Sequence, residues 1–130
     1  MHSNFSLKIF YEDTDSGGVV YYANYLKFIE RARTNLIHEL GFSLKFLSEK
    51  YDCHFVVKNI KCNYIQSAKL EDELIIQTKF TEIKKASFKL EQNIFKDDKV
   101  IFESKVLMVN INSSGKPIKI PDSLRSVIND

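Results

Sequence analysis

The chain has 130 residues, of which 44% are hydrophobic and 28% charged; that is the size of one domain, 1–130, able to bury about two thirds of its unfolded surface, and it excludes disorder by composition. A formal net charge of +2, from 19 basic and 17 acidic residues without a block of like sign, gives nucleic-acid binding no support. No stretch approaches the ~20 apolar residues of a membrane span, and Met1 to Phe10 lacks the apolar run of a signal peptide, so the expected address is the cytoplasm.

In chain order, Asn4 to Tyr11 alternates Phe5, Leu7, Ile9 and Tyr11 against polar Ser6 and Lys8, which predicts a strand. Glu12-Asp13-Thr14-Asp15-Ser16-Gly17-Gly18 concentrates turn formers and predicts a loop. From Tyr22 to Leu40, Tyr22, Tyr25, Ile29, Ala32, Leu36 and Leu40 recur at helical spacing, and Gly41 supplies a C-cap. The apolar first half of this stretch predicts a helix that starts deep and emerges toward water. Phe42 to Tyr51 adds a short helix.

Strands dominate from there: Cys53 to Ile65 is rich in β-branched and aromatic residues, and Leu74 to Thr81 alternates Leu74, Ile76, Thr78 and Phe80 against Ile75, Gln77 and Lys79. Ala86 to Phe95 alternates Ala86, Phe88, Leu90 and Ile94 in the same way, and Lys99 to Asn110 closes the series. The short polar joints 67–73, 82–85 and 96–98 predict an antiparallel meander. In the tail, Ser113 to Asp130, the run Pro121-Asp122-Ser123 predicts the restart of a terminal helix. Segregated helices and strands make the class α+β, with one antiparallel sheet of about five strands covering one long helix. Cys53 and Cys62 lie nine steps apart on one predicted strand, about 30 Å, too far for a disulfide, so both thiols are expected to be reduced.

Asp15 stands just before the long helix, with Gly17 and Gly18 between. A helix N-terminus presents unpaired N–H groups and partial positive charge to an anion or a polarised carbonyl oxygen, and glycine lets a ligand approach the backbone. Ordinary turn and cap roles for Asp13, Asp15 and Ser16 also fit. His2, His38 and His54 have no metal-ligand spacing to a second His or Cys, so no metal or other cofactor is expected. Ser16 lacks the G-x-S-x-G elbow of a serine hydrolase. Glu30 and Arg33 are spaced to pair at i,i+3. Lys58, Lys61, Lys69, Lys84 and Lys85 are candidate phosphate ligands, and Tyr21, Tyr22, Tyr25 and Phe28 are candidates for either core packing or an acyl pocket.

The run from Phe10 through Asp13-Thr14-Asp15-Ser16-Gly17-Gly18-Val19-Val20-Tyr21-Tyr22-Ala23-Asn24-Tyr25, with Glu30-Arg31-Ala32-Arg33 after it, resembles the signature of hot-dog-fold acyl-CoA thioesterases. More narrowly, it resembles the YbgC-type branch associated with the Tol-Pal envelope system, related to the 4-hydroxybenzoyl-CoA thioesterases. The resemblance runs from about Phe5 to Asn110. It implies a sheet wrapped around a central helix and hydrolysis of acyl-CoA to a carboxylic acid and CoA. Asp15 would be the catalytic carboxylate, the Tyr22 backbone amide would polarise the thioester carbonyl, and Gly17 and Gly18 would form the loop beside the thioester. Lys58 and Lys69 are the lysines assigned to CoA. Many YbgC-type members carry a histidine where this chain has Tyr22, so any help from an imidazole is missing here. The resemblance also implies a homo-oligomer, dimer or tetramer, with acyl carrier protein as a possible second donor. The competing reading is a non-catalytic hot-dog protein that binds acyl groups or scaffolds an envelope or lipid-synthesis complex.

Overall fold

The computed structural model describes residues 2–128. The strands are β1 (His2–Lys8), β2 (His54–Tyr64), β3 (Glu73–Ile83), β4 (Ser87–Lys96) and β5 (Lys99–Ile111); the helices are α1 (Asn24–Glu39), α2 (Leu44–Tyr51) and α3 (Asp122–Ile128). All neighbours pair antiparallel in the order β1-β3-β4-β5-β2. One face of this sheet lies on α1, giving the hot-dog architecture. Alternation explains the contact: Leu74 and Ile76 of β3, Phe88, Leu90 and Ile94 of β4, and Phe102, Val106 and Met108 of β5 point inward. They meet Tyr25, Phe28, Ile29, Ala32 and Leu36, the buried stripe of α1. Each large side chain fully withdrawn from water contributes about 1.5–3 kcal/mol. Among the described residues, no helix is long and apolar enough to cross a membrane.

Several boundaries differ from those the sequence predicts. The first strand ends at Lys8, and Tyr11 sits 80% exposed in a 3-10 turn. The reason is local: the Asp13 carboxylate accepts the Phe10 N–H at 2.9 Å, which turns the chain out of the sheet. Helix α1 starts at Asn24 rather than Tyr22, because residues 21–23 form a turn in which the Asn24 N–H donates to the Tyr21 carbonyl. Nor does the helix start deep and then emerge. Its buried stripe runs from Tyr25 to Ile37 while Leu26, Lys27, Glu30 and Arg31 face outward, since the sheet lies along its whole length.

Gly41 does end the helix. With φ at +94° it lets its own N–H reach the His38 carbonyl and the Phe42 N–H reach the Ile37 carbonyl, a paired closure that a side chain at this φ would strain.

The meander holds for β3, β4 and β5 only. Strand β2 lies at the far edge, beside β5. Residues 65–72 therefore cross from one side of the sheet to β3, past two intervening strands. That is roughly 14 Å at the usual strand spacing, within reach of eight residues. The crossing carries Ala68 and Lys69 past the Asp15 loop.

The predicted Glu30–Arg33 pair is also replaced. Arg33 donates through Nη1 to Gln92 Oε1 at 2.9 Å, and Glu30 accepts from Thr34 Oγ1. Gln92 sits at an inward β4 position that alternation of apolar residues does not flag. It is fully buried and ties three elements together, as its Nε2 donates to the Ile29 carbonyl and to Thr78 Oγ1, both at 2.9 Å. Cys53 and Cys62 are free; burial pushes the Cys53 thiol up to about 11, which keeps it protonated. The predicted tail is helical from Asp122 to Ile128, and Asn129 and Asp130 lie outside the described residues.

Candidate active site

Residues 13–21 fold back on themselves as a small hairpin. The Tyr21 N–H donates to the Asp13 carbonyl at 3.2 Å, Asp15 N–H to Val19 O at 2.9 Å, and Gly18 N–H to Asp15 O at 3.1 Å; Thr14 and Val20 pair across it. Gly18 sits at φ +79°, the left-handed conformation that the tip requires and glycine adopts without cost. Asp15 is thereby fixed opposite Val19, with the chain running directly into the turn that begins α1. Its Oδ1 accepts the Gly17 N–H at 2.9 Å, and among the described residues its Oδ2 has no donor.

The crossing segment 65–72 clamps this hairpin. Val20 N–H donates to Ala68 O at 2.9 Å, Leu70 N–H to Gly18 O at 3.4 Å, and Val19 bridges to Lys69. The segment is itself anchored: Asp72 accepts the Lys69 N–H at 2.8 Å and meets Lys96 at 2.9 Å, and the buried Tyr25 hydroxyl accepts the Ala68 N–H at 2.9 Å. Burial raises the Tyr25 phenol above its ordinary range, so it stays neutral.

At the helix start, Ala23 occupies the N-cap position without a side-chain cap bond. The Tyr22 and Ala23 N–H groups find no acceptor among the described residues. Asn24 holds the two halves together, donating from Nδ2 to the Asp13 carbonyl at 2.9 Å. An exposed carboxylate oxygen and a helix start with free donors thus belong to one rigid unit, the combination needed to attack a carbonyl and hold its oxygen.

Of the residues singled out from the sequence, Asp15, Gly17, Gly18, Tyr22 and Lys69 belong to this unit. Lys58 does not: it stands at the irregularity in β2, six residues or roughly 20 Å from Tyr64 at the end of the strand. Tyr21 and Tyr22 are exposed, whereas Tyr25 and Phe28 are core. An apolar cavity of about 230 Å³ lies further along α1, lined by Leu36, Ile37, Phe55, Val57, Phe88 and Met108, with Glu30 and Arg33 in its wall. Asn24, Tyr64 and Ala68 escape a reading of the sequence. Each acts through contacts with residues at least eleven positions away, and periodicity carries no trace of those.

Gly17 offers a direct check on the loop. A Cβ there would stand 3.3 Å from Asp15 Oδ1, so Gly17→Ala forces the carboxylate to shift by a few tenths of an ångström. If Asp15 is a reacting group, the expected result is a five- to ten-fold fall in kcat, on the order that a small misplacement of such a group costs. Thermal unfolding should be unchanged, because the site is exposed; steady-state kinetics and a melting curve measure both.

The chain belongs to the thioesterase-like superfamily, whose family model matches residues 11–128. The acyl-CoA thioesterase YbgC of Haemophilus influenzae is 37% identical over 125 residues, covering 95% of this chain and 91% of that protein. Its counterpart in Helicobacter pylori is 37% identical over 133 residues, covering 94% and 96%. Among solved structures, a gentisyl-coenzyme A thioesterase superposes with a TM-score of 0.89 at 28% identity, covering 97% of this chain and 99% of that one.

Proposed function

We propose that the protein hydrolyses acyl-CoA to a free carboxylic acid and CoA, with Asp15 as the catalytic carboxylate and the Tyr22 backbone amide polarising the thioester carbonyl. The observation that supports this is the hairpin of residues 13–21, which carries Asp15, with one oxygen free of donors among the described residues, and runs directly into a helix start without a side-chain cap. The carbonyl oxygen gains charge as the tetrahedral centre forms, and the Tyr22 N–H, without an acceptor among the described residues, is available to receive it. The departing thiolate needs little protonation, its conjugate acid having a pKa near ~8.5 in the cysteine reference, so a single carboxylate suffices. Asp15 takes a proton from water, or attacks the carbonyl to give a mixed anhydride that water then opens. Lys69, bridged to Val19 beside the site, is assigned to CoA phosphate.

A panel of acyl-CoAs from butyryl to palmitoyl, with benzoyl-CoA and acyl carrier protein thioesters, tests the activity by thiol release. Turnover of at least one acyl-CoA is expected. Binding of acyl-CoA without any release would establish the non-catalytic acyl-binding reading instead.

The same reading includes self-association through β2. Among the described residues, that strand pairs only with β5 and leaves its other edge open, with Val56 and Val57 exposed. Natural proteins pair, cover or charge such an edge. Antiparallel pairing of β2 with its copy about a two-fold axis brings the first half of one strand beside the second half of the other. Light scattering on the eluting protein should therefore give a dimer or a tetramer. An active species with the mass of one 15.1 kDa chain would defeat the shared-edge assembly.

A further inference from the structure

Strand β2 reaches the helix start through one side chain. Tyr64, the last residue of β2, donates its hydroxyl hydrogen to the Tyr22 carbonyl at 3.1 Å. Its ring is held edge-on by Tyr22, Tyr25 and Phe102, with centroids 6.3, 5.5 and 5.1 Å away, and Tyr25 in turn stacks on Phe102. The phenol therefore sits on a packed aromatic platform and not on a free rotor. Among the described residues, the Tyr22 carbonyl has one other partner, the Tyr25 N–H, at a stretched 3.4 Å. Since Ala23 provides no side-chain cap, the first helical turn does little to fix the peptide between Tyr22 and Ala23.

We propose that Tyr64 is a positioning residue for thioester hydrolysis: by holding the Tyr22 carbonyl its hydroxyl fixes the Tyr22–Ala23 peptide and, through the shared Tyr22 Cα, the preceding peptide, so that the free N–H groups of Ala23 and Tyr22 face the thioester carbonyl oxygen. This rests on the thioesterase reading above. A hydrogen bond accepted by a peptide carbonyl holds the plane of that peptide and polarises its own N–H, here that of Ala23. Burial, together with neighbouring Cys62, raises the Tyr64 phenol above its ordinary range, so the hydroxyl keeps its proton through neutral pH. Oxyanion donors act by being oriented before charge develops. The effect of Tyr64 therefore falls on the chemical step, with substrate binding spared.

The test uses whichever of hexanoyl-, palmitoyl- and benzoyl-CoA the wild-type protein turns over fastest. Tyr64→Phe keeps the ring and removes the donor. Its kcat should fall about ten-fold, equivalent to about 1.4 kcal/mol, with KM and the thermal midpoint unchanged. Affinity for the matching thioether analogue, which has no carbonyl to polarise, should be unchanged as well. Tyr64→Leu should lose kcat to at least the same degree. An unaltered kcat in Tyr64→Phe, or a loss matched by weaker thioether binding, would overturn the proposal. So would a loss confined to Tyr64→Leu, which would assign the effect to ring packing. Asp15→Asn measured in parallel keeps the two ideas apart. Full activity there sinks the underlying mechanism whatever Tyr64 does, whereas an inactive Asp15→Asn beside a normal Tyr64→Phe removes only the positioning role.

Discussion

Asp15→Asn is expected to lower kcat by about a thousand-fold or more while the protein stays folded, which is the range for removing a general base or nucleophile. The substitution separates chemistry from architecture. Asparagine retains an oxygen for the Gly17 N–H that Asp15 Oδ1 accepts at 2.9 Å, so the hairpin of residues 13–21 keeps its bonds. What disappears is the negative charge, and with it any ability to deprotonate water or attack the carbonyl. Asp13→Asn is the matched control. That carboxylate is buried and accepts the Phe10 N–H, a task an amide oxygen also performs, so thiol release should remain near the parental rate. Equal turnover in the Asp15 variant and the parent would remove Asp15 from the mechanism.

The largest expected effect on stability is at Gln92. Its side chain accepts from Arg33 Nη1 and donates to both the Ile29 carbonyl and Thr78 Oγ1, and its backbone carbonyl accepts from Ser104 Oγ at 2.6 Å. Gln92→Leu matches the apolar surroundings in size but strands three polar groups. Thr78 is buried, and the largely buried Arg33 is held below its ordinary range by desolvation, partly offset by Glu30. A buried polar group left without a partner costs about 1–3 kcal/mol. Arg33 keeps some solvent and the Ile29 carbonyl keeps its place in the helix, so the sum should be roughly 3 kcal/mol, not the maximum. Urea unfolding monitored by circular dichroism should show a lower midpoint with an unchanged slope. Gln92→Leu in a Thr78→Val background should be less harmful than the sum of the two changes, because one stranded group has been removed. Strict additivity would show that the three contacts do not act as a network.

Much of this protein is legible before folding is considered. Period-two alternation in β3, β4 and β5 and the 3.6-residue stripe of α1 determine which side of each element is buried, because burial of apolar area is the dominant force and needs only spacing to be read. Gly41 marks the end of α1 for a similar reason: its positive φ is a local requirement. The segment around Asp15 is equally local, a turn whose residues are adjacent in the chain. Sequence spacing does not encode where a strand goes once its edge is formed. The placement of β2 beyond β5, the passage of residues 65–72 across the Asp15 hairpin, and the contacts of Asn24, Tyr64 and Gln92 all arise from that choice. These are hydrogen bonds between groups many residues apart, made by polar side chains that carry no periodic signal. The sequence therefore determined the elements, the core and the residue expected to act on the thioester, and the tertiary structure alone decided what holds that residue against the helix start.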